Sequence, residues 1–298
     1  MNKDKIIRCI TSDGGIMASA IDSTGIVFTA QELHHTTSCG TAALGRLLTA
    51  ASMMGAQLKQ KNAVINLSVK GNGPLGPVVA VANSKGNVKG YVGNWDCPTE
   101  HYSNGKINVA AAVGKEGILT VMRDYGSGDP YIGQVPLVSG EIAEDITNYY
   151  ATSEQIPTVC ALGVLVDKNN GLVLAAGGLL IQLLPGATDE EIEKLEKNVA
   201  ALEPVTTMLA KGMSVLDICK KALEGFEVEV LDEFPVSYVC GCSKEKIENA
   251  IRGLSDEEIK EIIEKEGAAK ASCNFCNKKY IFTKEDLEKI ISERKDKK

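Results

Sequence analysis

Cys240-Gly241-Cys242 and, after thirty intervening residues, Cys273-Asn274-Phe275-Cys276 decide how the end of this chain folds. Each short pair places two thiols on one turn, and two such pairs supply the closed tetrahedral set of four thiolates typical of a structural zinc site. The segment around them has about sixty residues and few large apolar side chains, which is too little for a robust core. Metal binding would therefore supply folding energy to this segment.

Three interpretations of the four cysteines stay open from spacing alone. The first is a purely structural zinc ribbon. The second is an iron–sulfur cluster, although its usual cysteine spacings differ from these. The third is a redox switch, because zinc holds thiols as thiolates and thiolates are what oxidants attack. A closed four-ligand site leaves no open coordination position, so hydrolytic zinc chemistry is not expected.

Composition narrows the class of protein. The 298 residues carry 32 Lys and Arg against 39 Asp and Glu, a net charge of −7, and 44% are hydrophobic. These values exclude disordered and collagen-like chains, and the acidic balance argues against general nucleic-acid or anionic-membrane binding. No secretory signal is apparent, and Leu172–Leu184 is too short to span a bilayer. We therefore expect a soluble cytoplasmic protein with free or metal-bound cysteines.

Charge density changes sharply near Pro185-Gly186. Residues 1–185 hold 13 basic and 14 acidic side chains, whereas the shorter remainder holds 19 and 25. We predict an N-terminal α+β core domain at 1–185, a metastable helical linker at 186–234 and a small zinc-binding redox-switch domain at 235–298.

The first domain is predicted to contain a large β-sheet, because strand-like runs alternate with only two helical patterns. The expected helices are 36–58 and 140–150. The expected strands are 5–10, 16–21, 63–69, 78–83, 88–92, 107–113, 117–122, 159–166 and 172–180.

The linker carries two capping signals, Thr188 with Glu191 and Ser214 with Asp217, and we expect it to be helical, with Pro204 ending the first helix and Gly225 the second. Its apolar stripes are narrow, so its stability would depend on docking against a neighbour. An ordinary pair of surface helices is the alternative.

No enzyme is predicted. Residues 71–77 resemble a phosphate loop but lack its Lys-Ser/Thr ending, so a turn is expected. Glu141, Glu144 and Asp145 are expected on a solvated helix face. His34-His35 lies near Cys39 only in sequence, which does not make a catalytic dyad.

The five scattered cysteines are expected to be inert. Cys9, Cys160 and Cys219 lie in apolar periodic segments, which is typical of buried thiols. Cys39 and Cys97 are expected to be partly exposed, with nothing nearby that marks an activated nucleophile.

The chain resembles the 33-kDa heat-shock protein family of bacterial redox-regulated holdase chaperones. The resemblance covers essentially the whole chain, and its most specific part is the Cys-x-Cys…Cys-x-x-Cys terminus. Family-like segments upstream are 42–46, 73–77, 139–145, 153–157, 175–178 and 182–186.

The resemblance implies a mechanism. Cys240, Cys242, Cys273 and Cys276 would bind one Zn²⁺ in the reduced, inactive state. Peroxide or hypochlorite together with unfolding conditions would join Cys240 to Cys242 and Cys273 to Cys276, with loss of zinc. The terminal domain would then unfold and the linker would lose its dock. The oxidised homodimer would hold unfolding client proteins without ATP, as a stress response.

A different class remains as the alternative: a structural zinc-ribbon protein that binds nucleic acid or a ribosomal partner. Residues 236–298 carry 14 basic and 13 acidic side chains, so by count they lack a basic face. We therefore expect neither a nucleic-acid nor a membrane partner.

Overall fold

The computed structural model describes residues 4–295. The chain folds into two compact units, Met1–Val239 and Cys240–Lys298. Each unit has both helices and strands, which confirms the predicted α+β class. Across the described residues, every helix is too short or too polar to cross a membrane.

The first unit is built from two five-stranded antiparallel sheets. The first sheet has the strand order β10-β1-β2-β9-β8, and the second has the order β5-β4-β3-β6-β7. Its strands are β1 (Lys5–Thr11), β2 (Ile16–Asp22), β3 (Val64–Gly71), β4 (Val78–Asn83), β5 (Val88–Val92), β6 (Gly117–Asp124), β7 (Tyr131–Pro136), β8 (Thr158–Val166), β9 (Val173–Leu183) and β10 (Val228–Pro235).

Among the residues that the structure describes in this unit, seven helices accompany the sheets. They are α1 (Thr24–His34), α2 (Ser38–Ala56), α3 (Val109–Val113), α4 (Ala143–Tyr149), α5 (Asp189–Ala200), α6 (Val205–Ala210) and α7 (Val215–Ala222), and a π-helical turn at Tyr150–Glu154 extends α4.

Helix α2 lies in the centre of the unit and contacts strands of both sheets. Its small residues allow this close approach. A Cβ atom at Gly45 would come within 2.7 Å of side-chain carbons of Val27 and Val164. Any larger residue there would force the helix away from its neighbours.

The central strands of the first sheet, β1, β2 and β9, are buried on both faces. Along β1, Ile6 faces the core that contains α2, whereas Ile7 and Cys9 face a second core. Strand alternation explains this division, since successive side chains point to opposite faces. Helices α5, α6 and α7 cover the second face, and we call these three helices the helical cover.

Both capping signals of the cover are confirmed. Thr188 and Glu191 form a reciprocal capping box at the start of α5, and Ser214 and Asp217 form one at the start of α7. The narrow apolar stripes of the helical cover pack against the sheet, which buries them from solvent. Their fully or almost fully buried members are Leu195, Val205, Met208, Val215, Ile218, Cys219, Ala222 and Leu223.

The helical prediction for 186–234 is wrong at its end. Val228–Pro235 forms β10, which pairs antiparallel with β1 and closes one edge of the first sheet. Its first residues, Val228-Glu229-Val230, alternate valine with an acidic residue, and most of the segment is exposed, which suits an edge strand.

Other differences concern short elements. Residues 107–113 are predicted as a strand but contain helix α3, whose first turn is capped by the Asn108 side chain. Helix α1 and strand β7 are absent from the prediction. The two predicted helices are shorter than expected, since they begin at Ser38 and Ala143.

The second unit is small and has a core of its own. Its elements are α8 (Lys244–Ile251), α9 (Asp256–Glu266), β11 (Ala268–Ser272), β12 (Lys279–Thr283) and α10 (Lys284–Lys295), with β11 and β12 paired as an antiparallel hairpin. The predicted capping box of Ser255 with Glu258 opens α9. The buried core residues are Ile251, Ile259, Cys273, Tyr280, Phe282, Leu287, Ile290 and Ile291.

Candidate metal centre

Two local structures present the four cysteines. Cys240 and Cys242 immediately precede α8, whose N-cap is Ser243. Cys273 and Cys276 lie in the turn that joins β11 to β12. The amide of Cys276 donates to the carbonyl of Cys273 at 3.3 Å, and Asn277 adopts a left-handed conformation at φ 56°. This tight turn aims both of its thiols to one side.

The four sulfur atoms converge. All four Sγ atoms lie within 4.8 Å of one another. The Sγ atoms of Cys240 and Cys273 are 3.6 Å apart, and those of Cys242 and Cys276 are 3.4 Å apart. A tetrahedral zinc–thiolate site with bonds of about 2.3 Å has sulfur–sulfur edges of roughly 3.8 Å. The cluster could therefore hold one metal ion with little rearrangement.

Two hydrogen bonds support the pair formed by Cys240 and Cys242, one at a sulfur atom and one at the backbone. The Tyr280 hydroxyl donates to Sγ of Cys242 at 3.0 Å. This bond is the main reason that the pKa of the Cys242 thiol falls to about 7, and it raises the pKa of Tyr280 to about 12. The Lys246 ammonium donates to the carbonyl of Gly241 at 2.7 Å and holds the turn between the two cysteines.

Burial acts in the opposite direction on the thiols of Cys240 and Cys276. It raises the pKa of Cys276 to about 12, and it also raises the pKa of Cys240. Cys273 is buried within the core of the second unit, next to the hairpin residues. Four converging thiols are chemically suited to a thiophilic metal, which would favour the ionised form of Cys240 and Cys276 against the effect of burial.

The sequence pattern identifies the four cysteines but not Tyr280. The available signal is an aromatic residue four positions after Cys276, on the strand that leaves the turn. Its hydroxyl faces Cys242 because the hairpin brings β12 beside the first cysteine pair.

The expected exposure of Cys39 and Cys97 is wrong, because both are fully buried. The Sγ of Cys39 lies 3.3 Å from the carbonyl oxygen of Cys97 and 3.2 Å from that of Pro98. His34 contacts the hydroxyl of Tyr238 at 3.4 Å.

The carboxylates near α4 also differ from expectation. Glu144 is exposed, but Asp145 is fully buried and accepts backbone N–H bonds from Val138, Ser139, Gly140 and Ile142. Glu141 is half-buried and pairs with Arg46. Asp145 and Glu141 therefore fix the loop before α4 in place. Residues 72–77 form the expected turn, between β3 and β4.

Comparison with known proteins agrees with this architecture. The profile described as "Hsp33 protein" matches residues 4–283. The chain belongs to the Hsp33 family. Among similar Hsp33 proteins, the 33 kDa chaperonin of Clostridioides difficile is 46% identical over 98% of this chain and 99% of its own. The 33 kDa chaperonin of Acetivibrio thermocellus is 46% identical over 97% of each chain.

A solved Hsp33 structure shares the fold. The crystal structure of the 33 kDa chaperonin of Thermotoga maritima superposes with a TM-score of 0.91 at 33% identity, covering 99% of this chain and 100% of the other. The chain is therefore a member of a chaperone family, as its resemblance implies. Its four-cysteine cluster is compatible with zinc and with redox chemistry.

Proposed function

We propose that this protein is a redox-regulated, ATP-independent holdase that binds unfolding proteins in the cytoplasm under oxidative stress. The observation that carries the proposal is the convergence of four thiols in the small core of the second unit. Chemistry at those thiols acts directly on the stability of that unit.

Zn²⁺ is the proposed metal, and when bound it would cross-link the segment before α8 to the β11–β12 turn. Its proposed ligands are Cys240, Cys242, Cys273 and Cys276. A core of this size contributes little stability by itself, so loss of the cross-link would unfold the unit.

The proposed activating step is oxidation of these thiols by hydrogen peroxide. Cys240 pairs with Cys242, and Cys273 pairs with Cys276. For each disulfide, two thiolate sulfurs lose two electrons, one peroxide O–O bond breaks, and the two oxygens take up two protons from solvent to form two molecules of water. A disulfide sulfur is no longer a thiolate ligand, so the set of four donors is lost.

The proposed second step is undocking of the helical cover within the linker 186–234. The outer surface of α5 is highly charged, and its contact with the sheet rests on few apolar residues. Once the cover lifts, the face that it occupies becomes available to clients. The apolar residues of that face are Ile7, Cys9, Ile16, Ala18, Ala20, Leu179 and Ile181. Hydrophobic segments of unfolding proteins are the matching partner chemistry, and the oxidised form is proposed to be a homodimer.

Light scattering of a heat-unfolded client tests the proposal. The protein is added either reduced and zinc-loaded or after treatment with peroxide at the client's unfolding temperature. We expect suppression of aggregation only by the oxidised form. A variant with all four cysteines replaced by Ser should bind no stoichiometric zinc. Treatment with peroxide should not change how strongly this variant suppresses client aggregation. Equal suppression by both redox forms, or retention of zinc by the variant, would overturn the proposal.

A further inference from the structure

The two outer strands of the first sheet differ in their chemistry. Strand β10 lies at one edge of the sheet and carries Glu229, Asp232 and Glu233. Strand β8 lies at the other edge, and its nine residues, Thr-Val-Cys-Ala-Leu-Gly-Val-Leu-Val, include no charged side chain. Proteins normally protect edge strands with charges, because an unprotected edge can pair with another chain. Strand β8 lacks that protection.

The hydrogen bonds between β8 and β9 determine which backbone groups of β8 point outward. The amide of Leu183 donates to the carbonyl of Pro157 at 3.0 Å, and the strands continue from this pair in antiparallel register. Hydrogen-bonded and non-hydrogen-bonded pairs alternate along such a ladder. Residues 159, 161 and 163 therefore bond to β9. The residues between them direct their N–H and C=O groups away from the sheet, and these are Thr158, Cys160, Leu162 and Val164.

The outward groups of β8 have no hydrogen-bond partner among residues 4–295. Strand β8 pairs with β9 alone, and within this range neither a loop nor a side chain bonds to those groups. All nine residues of β8 are at least partly exposed, whereas most of β9 is buried. Gly163 is among the partly exposed residues, so solvent reaches the backbone itself. An extended chain presents its own N–H and C=O groups at the spacing that this edge requires.

An apolar cleft of about 380 Å³ lies beside the beginning of β8. Strand residues Val159 and Ile181 line it, together with Leu195 and Val199 of α5. Among the residues that the structure describes, Glu196 is the only charged one at its wall. The surroundings of the edge therefore favour an apolar neighbour over a charged one.

Strand β8 also continues the apolar face beneath the helical cover. Val159 and Ala161 pack against the same core as Ile181 of β9. Helix α6 lies directly on this side of the strand, since a Cβ atom at Gly163 would come within 2.7 Å of the Thr206 methyl carbon. Lifting of the cover would therefore expose the face and the edge as one continuous surface.

We propose that β8 is a strand-addition site, at which an extended, uncharged segment of an unfolding client joins the first sheet as a sixth strand. We call this site, formed by the outward backbone groups of residues 158–164, the β8 edge. The inference rests on the proposed holdase function for its occupant and adds the mode of binding. Backbone hydrogen bonds recognise an extended chain whatever its sequence, and the apolar neighbours select segments without charge.

Peptide binding to the oxidised full-length protein tests the β8 edge. The probe is a fluorescent peptide of about ten residues that alternates Val and Thr, with a lysine at each end. Two further versions carry N-methyl groups, one on every Val and the other on every Thr. The two versions have the same side chains, but each lacks the N–H donors of one edge of its extended form. Fluorescence anisotropy gives the three affinities.

We expect one methylated peptide to bind like the parent and the other to bind at least about tenfold more weakly, because several backbone hydrogen bonds are lost together. The asymmetry arises because a strand at the end of a sheet uses one of its two edges. Apolar burial alone would not distinguish the two peptides. Equal affinities of the methylated peptides, loss of binding by both, or absence of binding by the parent would overturn the proposal.

Replacement of Cys160 by Pro tests whether the peptide binds at β8. The amide of residue 160 points outward, so Pro removes an unpaired donor and leaves the bonds to β9 intact. Cys160→Ala is the matched control, because it also removes the thiol but keeps the amide. We expect Cys160→Pro to weaken binding of the parent peptide at least about fivefold and Cys160→Ala to bind like the wild type.

Val230→Pro provides a control on the opposite edge of the sheet. The amide of Ser12 donates to the carbonyl of Glu227 at 2.9 Å, and the alternation from this pair directs the amide of Val230 away from β1. This variant therefore removes an outward amide from the charged edge. It should bind the peptide like the wild type.

Unchanged peptide binding in Cys160→Pro would overturn the β8 edge. Loss of the homodimer by this variant, with peptide binding intact, would assign the edge to a second copy of the chain and also overturn the proposal. The methylated peptides are tested on the wild type, so they decide the question even if Cys160→Pro does not fold.

Failure of the β8 edge and failure of the holdase function give different results. Asymmetric binding of the methylated peptides without suppression of client aggregation would retain the β8 edge and refute the holdase function. Suppression of aggregation by the oxidised protein, with equal affinities for the methylated peptides, would retain the holdase function and refute strand addition.

Discussion

The hydroxyl of Tyr280 donates a hydrogen bond of 3.0 Å to the sulfur of Cys242. This bond joins β12 to the cysteine pair that precedes α8, so it connects the two segments that the metal is proposed to cross-link. Hydrogen bonds to metal ligands fix their orientation and favour their ionised form. Tyr280 is therefore a supporting residue of the candidate metal centre.

Replacement of Tyr280 by Phe should weaken metal binding while leaving all four ligands in place. We expect the affinity for zinc, measured by competition with a chromogenic chelator, to fall about 10- to 100-fold. Tyr131→Phe is the control, because Tyr131 is exposed on β7 in the first unit. Equal zinc affinity in Tyr280→Phe and wild type would contradict this role.

Mapping the activated protein should show disulfides between sequence neighbours. Cys240 and Cys242 share tryptic peptide 222–244, and Cys273 and Cys276 share peptide 271–278. Neighbour pairing gives two separate peptides, each lighter by two hydrogens, whereas cross-pairing links the two peptides. The cross-pair contacts of 3.6 and 3.4 Å make this distinction informative. A linked 222–244/271–278 product as the main species would refute the proposed pairing.

Weakening the dock of α7 should lower the threshold for activation. Ile218 lies on α7 and is fully buried against the sheet. Ile218→Ala should therefore lower the free energy that holds α7 in place by about 2–5 kcal/mol. We expect faster protease cleavage within 189–222 and suppression of client aggregation at a lower temperature. Leu231→Ala on β10 is the control, since Leu231 is half exposed. Unchanged cleavage in Ile218→Ala would show that the cover is not held by this contact.

Asp4 should make stability fall as the pH rises. Burial raises its pKa from 3.8 to about 6, although its carboxylate accepts N–H bonds from Gly25 at 2.8 Å and Ile26 at 2.5 Å. The folded protein thus holds this proton more tightly than the unfolded chain. The free energy of unfolding therefore has its full contribution from Asp4 below pH 3.8. It falls by about 3 kcal/mol as the pH rises from 3.8 to about 6.

Denaturant unfolding of wild type and Asp4→Asn between pH 4 and pH 7 checks this dependence. Asn cannot ionise, so the difference in unfolding free energy between the two proteins isolates the carboxyl group. The wild type should lose stability relative to Asp4→Asn as the pH increases. A difference that stays constant over this range would mean that Asp4 titrates normally.

Elements with a clear pattern are predictable from the sequence. Strands β4 and β5 and the capping boxes of α5 and α7 occur where their residues indicate them. Capping depends on contacts within four residues, so no tertiary information is needed. The two cysteine pairs are also local signals, whereas the convergence of the two pairs depends on the fold of the second unit.

Elements that depend on distant partners are not predictable in the same way. Residues Val228–Pro235 form a strand because β1 offers them an open edge, and that edge lies more than two hundred positions earlier in the chain. Helix α3 forms after the Asn108 cap although its residues include two valines. Here tertiary context outweighs local propensity.

Burial of Cys39, Cys97 and Asp145 is likewise a tertiary effect. Nothing in the neighbouring sequence distinguishes a carboxylate that collects four backbone N–H bonds from one on a solvated helix face. Tyr280 belongs to the same class, because its role arises from hairpin geometry and not from spacing.

The double-sided burial of the first sheet creates an evolutionary constraint. Residues such as Leu179 and Ile181 stabilise the resting protein against the helical cover, and in the proposed mechanism they also receive the client. The cover and the client then compete for one surface. A substitution that makes this face more apolar would strengthen both the docking of the cover and the binding of the client. Affinity for clients therefore cannot be increased there without also delaying the response to stress. Selection can adjust the two properties separately only through residues of the cover itself.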